Sequence, residues 1–217
     1  MKYPRIPHVT FSRGIFDDDL VFNGSIFNRE WHVTEKMDGS QMGTDKEGWE
    51  LVARNRNTIV TRGGVDRQFH ILPAWLKDKY QIISDLVGDR YILFGEWLFH
   101  LHTVPYDKLP DWFLGFNLYD TDNEGFLPFL EGRKMISDAG LFPVPLLDTV
   151  VIKSKKQLLS YIKTSTYGSA QMEGLVLHST DGRLVVKYVT GEFKESIDSN
   201  PNHWRRCERT RNKIKRD

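Results

Sequence analysis

Cysteine is almost absent from this sequence, which has one, Cys207, among 217 residues. A single cysteine cannot form an internal disulfide, and structural zinc sites need several cysteine or histidine ligands. The sequence therefore excludes a small fold held together by disulfides or by a cysteine-rich zinc centre. We interpret Cys207 as an incidental thiol.

Long apolar runs are also missing. No stretch approaches the roughly 18 consecutive apolar residues of a membrane-spanning helix. The first residues, Met-Lys-Tyr-Pro-Arg-Ile-Pro-His, lack the apolar segment of a secretory signal. We therefore expect a cytoplasmic protein without a membrane segment, and no protein partner is evident. Its hydrophobic content of 40% is sufficient for a buried core.

The net charge is only +1, but the charges are unevenly distributed. In residues 203–217, seven of fifteen side chains are Lys or Arg and two are acidic. A basic end on a mildly acidic body favours contacts with phosphate, with a solvated C-terminal helix as the alternative. We predict a domain at 1–200 and a basic tail at 201–217. The arginines that could make such phosphate contacts include Arg205, Arg206, Arg209 and Arg211.

Strand patterns outnumber helix patterns along the chain. Helical spacing and end signals predict helices at 73–87, 128–140 and 154–162. Alternating or continuous apolar runs predict strands from Trp31 onward and at 49–54, 91–99, 112–119, 173–178 and 183–189. Residues 1–30 are expected to be irregular. This order predicts an α+β fold built on antiparallel sheets.

Two hairpin registers affect where charged side chains lie. In the first hairpin, a turn at 45–48 that pairs Thr44 with Trp49 would place Arg54 opposite Gly39. In the second, a two-residue loop at 181–182 would pair Val176 with Lys187 and send Glu173 to the opposite face. We expect instead a three-residue loop at 180–182 that pairs Leu175 with Lys187. This pairing would put Glu173 on the same face as Lys187, with Gly182 at positive φ.

The stretch at 34–40 reads Thr-Glu-Lys-Met-Asp-Gly-Ser and contains a Lys-x-Asp-Gly arrangement at Lys36. A lysine is protonated at neutral pH and needs a special site to act as a nucleophile. Acidic neighbours alone stabilise the charged form, so a bound metal, additional lysines or an incoming polyphosphate would have to change the local charge balance. The alternative is a surface loop with two ion pairs.

Three more charges stand where packing alone would not place them. Glu96 interrupts an apolar run, Glu173 begins one, and Lys187 lies between Val186 and Tyr188. Charged side chains are rarely buried unless they are paired, so each marks either a strand end in water or a polar site. Their combination with Lys36 favours the polar site.

Six short stretches place these charges in a fixed order. They are Glu35-Lys36-Met37-Asp38-Gly39, Ala53-Arg54-Asn55, Phe94-Gly95-Glu96-Trp97, Phe116-Asn117-Leu118-Tyr119-Asp120, Glu173-Gly174-Leu175-Val176 and Val186-Lys187-Tyr188. This order resembles the covalent nucleotidyltransferases. Within them, the stretch from Gly95 through His102-Thr-Val-Pro-Tyr106 to Phe113, and the ending His203-Trp204-Arg205-Arg206, are most similar to the small ATP-dependent RNA ligases. The resemblance implies an ATP-grasp-like adenylation domain. Because only 30 residues follow Lys187, we expect no C-terminal OB-fold.

The resemblance implies a role for each residue of the first half of the pattern. Lys36 would attack the α-phosphate of ATP and hold AMP as a phosphoramidate. Glu35 would contact the adenine edge, and Asp38 is a candidate metal ligand. Arg54 would hold the sugar or a phosphate, with Arg56 as the competing candidate.

The second half of the pattern completes the implied nucleotide site. Glu96 would bind the ribose hydroxyls and Phe116 would stack on the base. Glu173 would bind a divalent metal, Mg²⁺ or Mn²⁺, and Lys187 would contact the α-phosphate. The chain departs from the family at Val189, where a second lysine is common, and at Asn117, where an acid is common.

The implied activity is ATP-dependent ligation of RNA ends through a lysyl-AMP intermediate, joining a 5′-phosphate to a 3′-hydroxyl. DNA ends or RNA–DNA hybrids are alternative substrates. The alternative functions are a capping-type guanylyltransferase, a DNA ligase, and a nucleic-acid-binding module that keeps the fold without the chemistry. The basic tail, with Arg205, Arg206, Arg209 and Arg211 as the predicted nucleic-acid contacts, is expected to matter more for polynucleotide binding than for adenylation.

Overall fold

The computed structural model describes residues 1–56, 58–61, 67–198 and 210–215. The chain divides into two compact units. Unit 1 comprises Met1–Tyr3, Gly39–His100 and Pro110–Val144. Unit 2 comprises Pro4–Asp38, Leu101–Leu109 and Pro145–Asp217.

Strands dominate the described residues, as the sequence predicts. The strands are β1 (His8–Val9), β2 (Val21–Phe22), β3 (Arg29–Lys36), β4 (Ser40–Glu47), β5 (Glu50–Asn55), β6 (Thr58–Ile59), β7 (Tyr91–Trp97), β8 (Phe113–Asp120), β9 (Gly125–Phe126), β10 (Leu146–Ile152), β11 (Gly174–Ser179) and β12 (Val185–Val189). The helices are α1 (Leu72–Asp78), α2 (Tyr80–Val87), α3 (Phe129–Asp138), α4 (Lys155–Leu159) and α5 (Gly191–Asp198), with a 3₁₀ turn at Arg67–Phe69.

Unit 1 is built on an antiparallel sheet in the order β6-β5-β4-β7-β8-β9. Helices α1, α2 and α3 supply apolar residues to its core. That core includes Met42, Leu93, Trp97, Ile83 and Ile136, each at most 1% exposed. The alternation of strand side chains accounts for this face, because residues two apart point the same way.

Unit 2 has its own sheet, in the order β10-β3-β11-β12-β1-β2. Its central strands pair antiparallel, which confirms the predicted α+β class. Trp31, Val33, Leu175 and Leu177 share one face and are 0% exposed. The opposite face carries the alternate residues, among them Lys36.

The expectation of an irregular N-terminus was only partly right. Within residues 1–30 the two-residue strands β1 and β2 pair parallel to each other, and β1 pairs parallel to β12. Such short strands leave no alternation to recognise, so the sequence contains no signal for them. They extend the sheet of unit 2 beyond Lys187, which is opposite His8.

The predicted register of the β4–β5 hairpin was wrong. Strand β4 continues to Glu47 and leaves Gly48 and Trp49 as a two-residue loop, with Gly48 at φ +61°. The shorter loop moves the pairing, so Arg54 lies opposite Gly43 and not Gly39. The glycine makes this tight turn accessible because it tolerates positive φ without a Cβ clash.

Two helix predictions needed adjustment. The single helix expected at 73–87 is two helices, α1 and α2, which meet at Lys79, and α2 ends at Gly88 as predicted. The helix after Ser154 is confirmed but stops at Leu159. Ser154 caps it as expected, because its Oγ accepts the N–H of Gln157 at 3.2 Å.

The β11–β12 hairpin has positive φ at Gly182, as predicted, with a value of +71°. Its loop spans 180–183, however, and the register pairs Val176 with Lys187. The three-residue loop was therefore a wrong prediction. Ser179 explains the longer loop: its Oγ accepts the Leu184 N–H at 2.9 Å, and its carbonyl accepts the Gly182 N–H at 2.9 Å.

In the described part of the chain, the helices are too short and too polar to cross a lipid bilayer. The sheets of both units are accounted for by β1 to β12, and no OB-fold is present among these residues.

Replacing Gly182 should test the hairpin geometry. Because φ is +71°, Gly182→Ala should lower the free energy of unfolding by about 1 kcal/mol. The measurement is equilibrium urea unfolding. Gly125→Ala is the matched control, since an added Cβ there meets its nearest neighbour only at 3.7 Å and φ is not positive. Equal losses at the two positions would contradict the turn.

Candidate active site

Lys36 is the last residue of β3, and its position in the sheet fixes its surroundings. It lies opposite Gly174 of β11, on the face that also carries Thr34, Val176 and Lys187. The intervening residues of β3 point into the core of unit 2. The strand therefore presents Lys36 at its end, on the polar side of the sheet.

The closest partner of Lys36 is Glu173, whose two carboxylate oxygens both lie 2.6 Å from Nζ. The Glu173 side chain is 6% exposed and that of Lys36 is 24% exposed. Burial raises the pKa of Glu173 to about 7, although the Lys36 cation opposes this shift, and the negative charge of Asp38 adds to it. The carboxylate is thus a buried ion held largely by one lysine.

Glu173 and Lys187 share this site despite the incorrect register prediction. In the observed pairing, alternation would direct a side chain at position 173 to the face opposite Lys187. Glu173 precedes β11, so it is not bound by that alternation, and its carboxylate turns towards Lys36. The charge of Lys36 lowers the pKa of Lys187, and the charge of Glu173 raises it. The three side chains therefore form one electrostatic cluster.

Lys187 is itself paired with a residue from the N-terminal segment. Its Nζ lies 3.5 Å from Oδ1 of Asp19, and the other carboxylate oxygen lies 3.2 Å from Nε2 of His8. Burial and the charge of Lys36 lower the pKa of Lys187, while Asp19 raises it. Burial lowers the pKa of His8 to about 4, so the imidazole is neutral at pH 7.

Asp38, two residues after Lys36, is 7% exposed. Its Oδ2 accepts the N–H groups of Thr103 at 2.6 Å and Val104 at 2.7 Å. Its own N–H donates to the hydroxyl of Tyr106 at 2.7 Å. These bonds fix both the backbone and the side chain of Asp38, and its predicted contact with a metal stays a prediction.

Glu35, which precedes Lys36, is 1% exposed and points to the opposite face of β3. One carboxylate oxygen accepts the Ser165 hydroxyl, and the other accepts the Thr166 N–H at 2.8 Å. Both oxygens are thus held within unit 2. The predicted contact between Glu35 and adenine stays a prediction.

The remaining predicted nucleotide contacts belong to unit 1. Arg54 is paired with Asp45 and Glu47 on the neighbouring strand, while Arg56 is exposed with φ +52°. Glu96 is on β7. These positions leave the predicted roles of all three residues untested.

The last predicted nucleotide contact, Phe116, is half-buried on β8, and its ring packs edge-on against Tyr3 with centroids 4.9 Å apart.

The lysine motif has a glycine at position 39 for a steric reason. A Cβ there would lie 2.5 Å from the Trp97 carbonyl oxygen, a separation that side chains do not tolerate.

The predicted nucleic-acid contacts fall mostly outside the described residues. Arg205, Arg206 and Arg209 lie there, as does Cys207. Arg211 is described and is exposed.

Sequence reasoning missed several residues that hold the site together. Asp19 and His8 lie in the N-terminal segment without a recognisable motif, and Ser165 lies in a loop. Tyr106 belongs to a stretch that resembled RNA ligases, so the sequence did contain a signal for it. Asp19, His8 and Ser165 have no such signal, because their role in the site comes from contacts that the sequence pattern around them does not indicate.

The donors present fit a divalent metal that arrives with a substrate. Mg²⁺ usually takes one or two protein carboxylates and completes its shell with phosphate oxygens and water. Glu173 has a carboxylate of this kind, and its predicted contact with a metal stays a prediction. No cluster of three or more His, Cys, Asp or Glu side chains arranged to hold a metal occurs within 1–56, 58–61, 67–198 and 210–215.

Solved structures share this fold. The chain superposes on Naegleria gruberi RNA ligase with PPi with a TM-score of 0.63 and 22% identity, over 80% of this chain and 53% of that one. A mutant of the same ligase with ATP and Mn gives a TM-score of 0.59 and 21% identity, over 78% and 52%. The chain spans about half the length of these structures. At 21–22% identity, these likenesses show that the chain has the fold of these structures.

The sequence model of the RNA ligase family matches residues 29–189. This range is most of the chain and includes Lys36, Glu173 and Lys187. The chain belongs to the RNA ligase family. No curated protein sequence matches it.

Removing the Glu35 carboxylate should destabilise unit 2. Glu35→Ala leaves the buried Ser165 hydroxyl and Thr166 N–H without their acceptors, and the expected loss of unfolding free energy is about 2 kcal/mol. Urea unfolding measures it. Glu30→Ala, on the exposed end of the same strand, is the control and should change stability by less than about 0.5 kcal/mol. Similar values for both variants would show that the Glu35 contacts contribute little.

Proposed function

We propose that this chain is an ATP-dependent RNA ligase that adenylates itself on Lys36. The observation that carries the proposal is the cluster of Lys36, Glu173 and Lys187, in which a lysine of the family motif lies against a buried carboxylate and near a second cation. The cofactors are ATP and Mg²⁺ or Mn²⁺. We also propose that the protein works in the cytoplasm, where ATP and RNA ends are available.

In the structure, Lys36 is held as one half of an ion pair. A carboxylate whose two oxygens both contact the ammonium group stabilises the protonated form, which is not nucleophilic. Lys36 must therefore leave this pair and lose a proton before its amine can attack the α-phosphorus of ATP, where the new N–P bond replaces the bond to the β-phosphate and pyrophosphate leaves. Glu173 would then be available to hold the divalent ion that accompanies the triphosphate, and such an ion would supply positive charge at the phosphates.

Lys187 provides the second cation that the transfer needs. Phosphoryl-type transfer depends on positioning and on neutralising charge at the phosphate oxygens more than on acid–base chemistry. Lys187 is half-buried and kept in place by Asp19, so its ammonium group is directed before the nucleotide arrives. We assign it to the α-phosphate.

The other contacts complete the proposed nucleotide site. Arg54 or Arg56 would hold the sugar or a phosphate, Glu96 the ribose hydroxyls, and Phe116 the base. Arg56 gains support as the phosphate contact because Arg54 already has two acidic partners. We propose residues 1–200 as the adenylyltransferase domain.

RNA ends are the proposed substrate: AMP would pass from Lys36 to a 5′-phosphate, and a 3′-hydroxyl would then displace it. Membership of the RNA ligase family supports RNA over DNA. The basic tail at 201–217 would contact the polynucleotide through its phosphates.

Self-adenylation is the direct test. Incubation with ATP and Mg²⁺ should add one AMP to the protein, and Lys36→Ala or Lys36→Arg should abolish the adduct, because arginine keeps the charge but is not deprotonated. Lys187→Ala and Glu173→Ala should lower its yield at least about tenfold. Intact-mass spectrometry measures the adduct, and GTP in place of ATP tests the guanylyltransferase alternative.

Lys134→Ala is the matched control for these variants. Lys134 is on α3, with a side chain 75% exposed, and should adenylate as the wild type does. An AMP adduct that persists in both Lys36 variants would place the nucleophile elsewhere.

The role of the tail should be visible in the salt dependence of RNA binding. Each phosphate contact with single-stranded RNA contributes about 0.7 to the slope of log affinity against log salt, so Arg205→Ala with Arg206→Ala should reduce the slope by about 1.4. Fluorescence anisotropy over a salt series measures it. The control is Lys153→Ala with Lys156→Ala, two exposed lysines next to and within α4. An equal reduction in the control would mean that any lost positive charge has this effect.

A further inference from the structure

The end of the described chain packs along a loop that leads to the lysine site. We call residues 210–215 the C-terminal strap and residues 101–109 the clasp loop. Four backbone hydrogen bonds join them. They run from the Leu101 N–H to the Thr210 carbonyl at 2.8 Å, from Lys213 to Tyr106 at 2.9 Å, from Leu109 to Lys213 at 3.0 Å and from Lys215 to Leu109 at 2.9 Å.

Asn212 is the side chain through which the strap holds the clasp loop. It is 4% exposed, although the residues on either side of it are exposed. Its Oδ1 accepts the backbone N–H of Tyr106 at 3.0 Å. The Tyr106 carbonyl accepts the N–H of Lys213, which also belongs to the strap. Both backbone polar groups of this tyrosine are therefore hydrogen-bonded to the strap.

The clasp loop in turn holds Asp38. The Tyr106 side chain is 2% exposed, and its hydroxyl accepts the Asp38 N–H. The Thr103 and Val104 N–H groups donate to the Asp38 carboxylate. Tyr106 is therefore bonded to the strap through its backbone and to Asp38 through its hydroxyl, with only Met37 between Asp38 and Lys36.

We propose that the C-terminal strap is a positioning element for Lys36, which it holds in place for adenylation through Asn212, Tyr106 and Asp38. The inference rests on the proposed function and names a further requirement of the same site. It assigns part of the basic tail to the first chemical step, whereas the sequence predicted that the tail serves polynucleotide binding more than adenylation. Misplacing a reacting group by about 1 Å can cost up to about a hundredfold in rate.

The two faces of the strap allow its positioning role to be separated from its charge. Arg211, Lys213 and Lys215 are exposed, while Asn212 is buried and Ile214 half-buried between them. This alternation is that of an extended strand with one face against the protein. A substitution of Asn212 therefore changes the packed face and removes no positive charge.

The test compares variants of the full chain in single-turnover adenylation over a range of ATP concentrations. Asn212→Ala removes the acceptor for the Tyr106 N–H and should lower the rate at saturating ATP about tenfold or more. The ATP concentration for half-maximal rate should change less than about threefold, because the nucleotide contacts remain. Asn212→Asp keeps an oxygen at the acceptor position and should restore the rate to within about threefold of the wild type.

Ser179→Ala is the matched control. Ser179 is also buried in unit 2, at 2% exposed, and its Oγ accepts one backbone N–H, from Leu184, in the β11–β12 loop. The control should lower the thermal midpoint without changing the adenylation rate. A wild-type rate in Asn212→Ala, or an equal loss of rate in Ser179→Ala, would overturn the inference.

Tyr106→Phe is a second route to the same answer if Asn212→Ala does not fold. It keeps every backbone contact with the strap and removes only the hydroxyl that accepts the Asp38 N–H. The expected result is again a reduced rate at saturating ATP in a folded protein, and an unchanged rate would overturn the inference. If the wild type itself forms no AMP adduct, the proposed function fails, and the two failures are thereby distinguished.

Discussion

An ion buried without a partner costs several kcal/mol, and three acids are buried within or against the short stretch that carries Lys36. Glu35, Asp38 and Glu173 are 1%, 7% and 5% exposed. Glu35 and Asp38 accept hydrogen bonds from loops, whereas Glu173 is held by Lys36 itself. The first two acids therefore fix the backbone on both sides of the lysine. The third is paired with the Lys36 amine and stabilises its charged form.

The partners of these acids are far away in the sequence. Ser165 is 130 residues from Glu35, Thr103 is 65 residues from Asp38, and Glu173 is 137 residues from Lys36. Such contacts form only when unit 2 has closed its long loops, so the stability of the unit and the geometry of the site depend on the same bonds. The acids beside Lys36 thus contribute to structure as well as to charge. A variant at Glu35 or Asp38 would change both, and activity measurements on it need a parallel stability measurement.

The hairpins show where sequence patterns stop being informative. Gly182 predicted positive φ correctly because only glycine adopts that conformation without strain. The register was nevertheless wrong, because Ser179 bonds to the Leu184 N–H and lengthens the loop. At Arg54 the register was wrong for the opposite reason, since Gly48 allows a shorter turn than expected. A shift of one residue reverses every side chain, so small differences in turn geometry decide which charges share a face.

The sequence by itself determined the strand-rich α+β class, the position of the lysine motif, and the family. These depend on residue types and spacing, which are local properties of the chain. Only the tertiary structure decided that Glu173 reaches Lys36 from outside its strand, that Asp19 pairs with Lys187, and that Asn212 supports Tyr106. The physical reason is that the partner of a buried polar group is chosen by how distant segments pack. The spacing of residues within one segment therefore does not predict that partner.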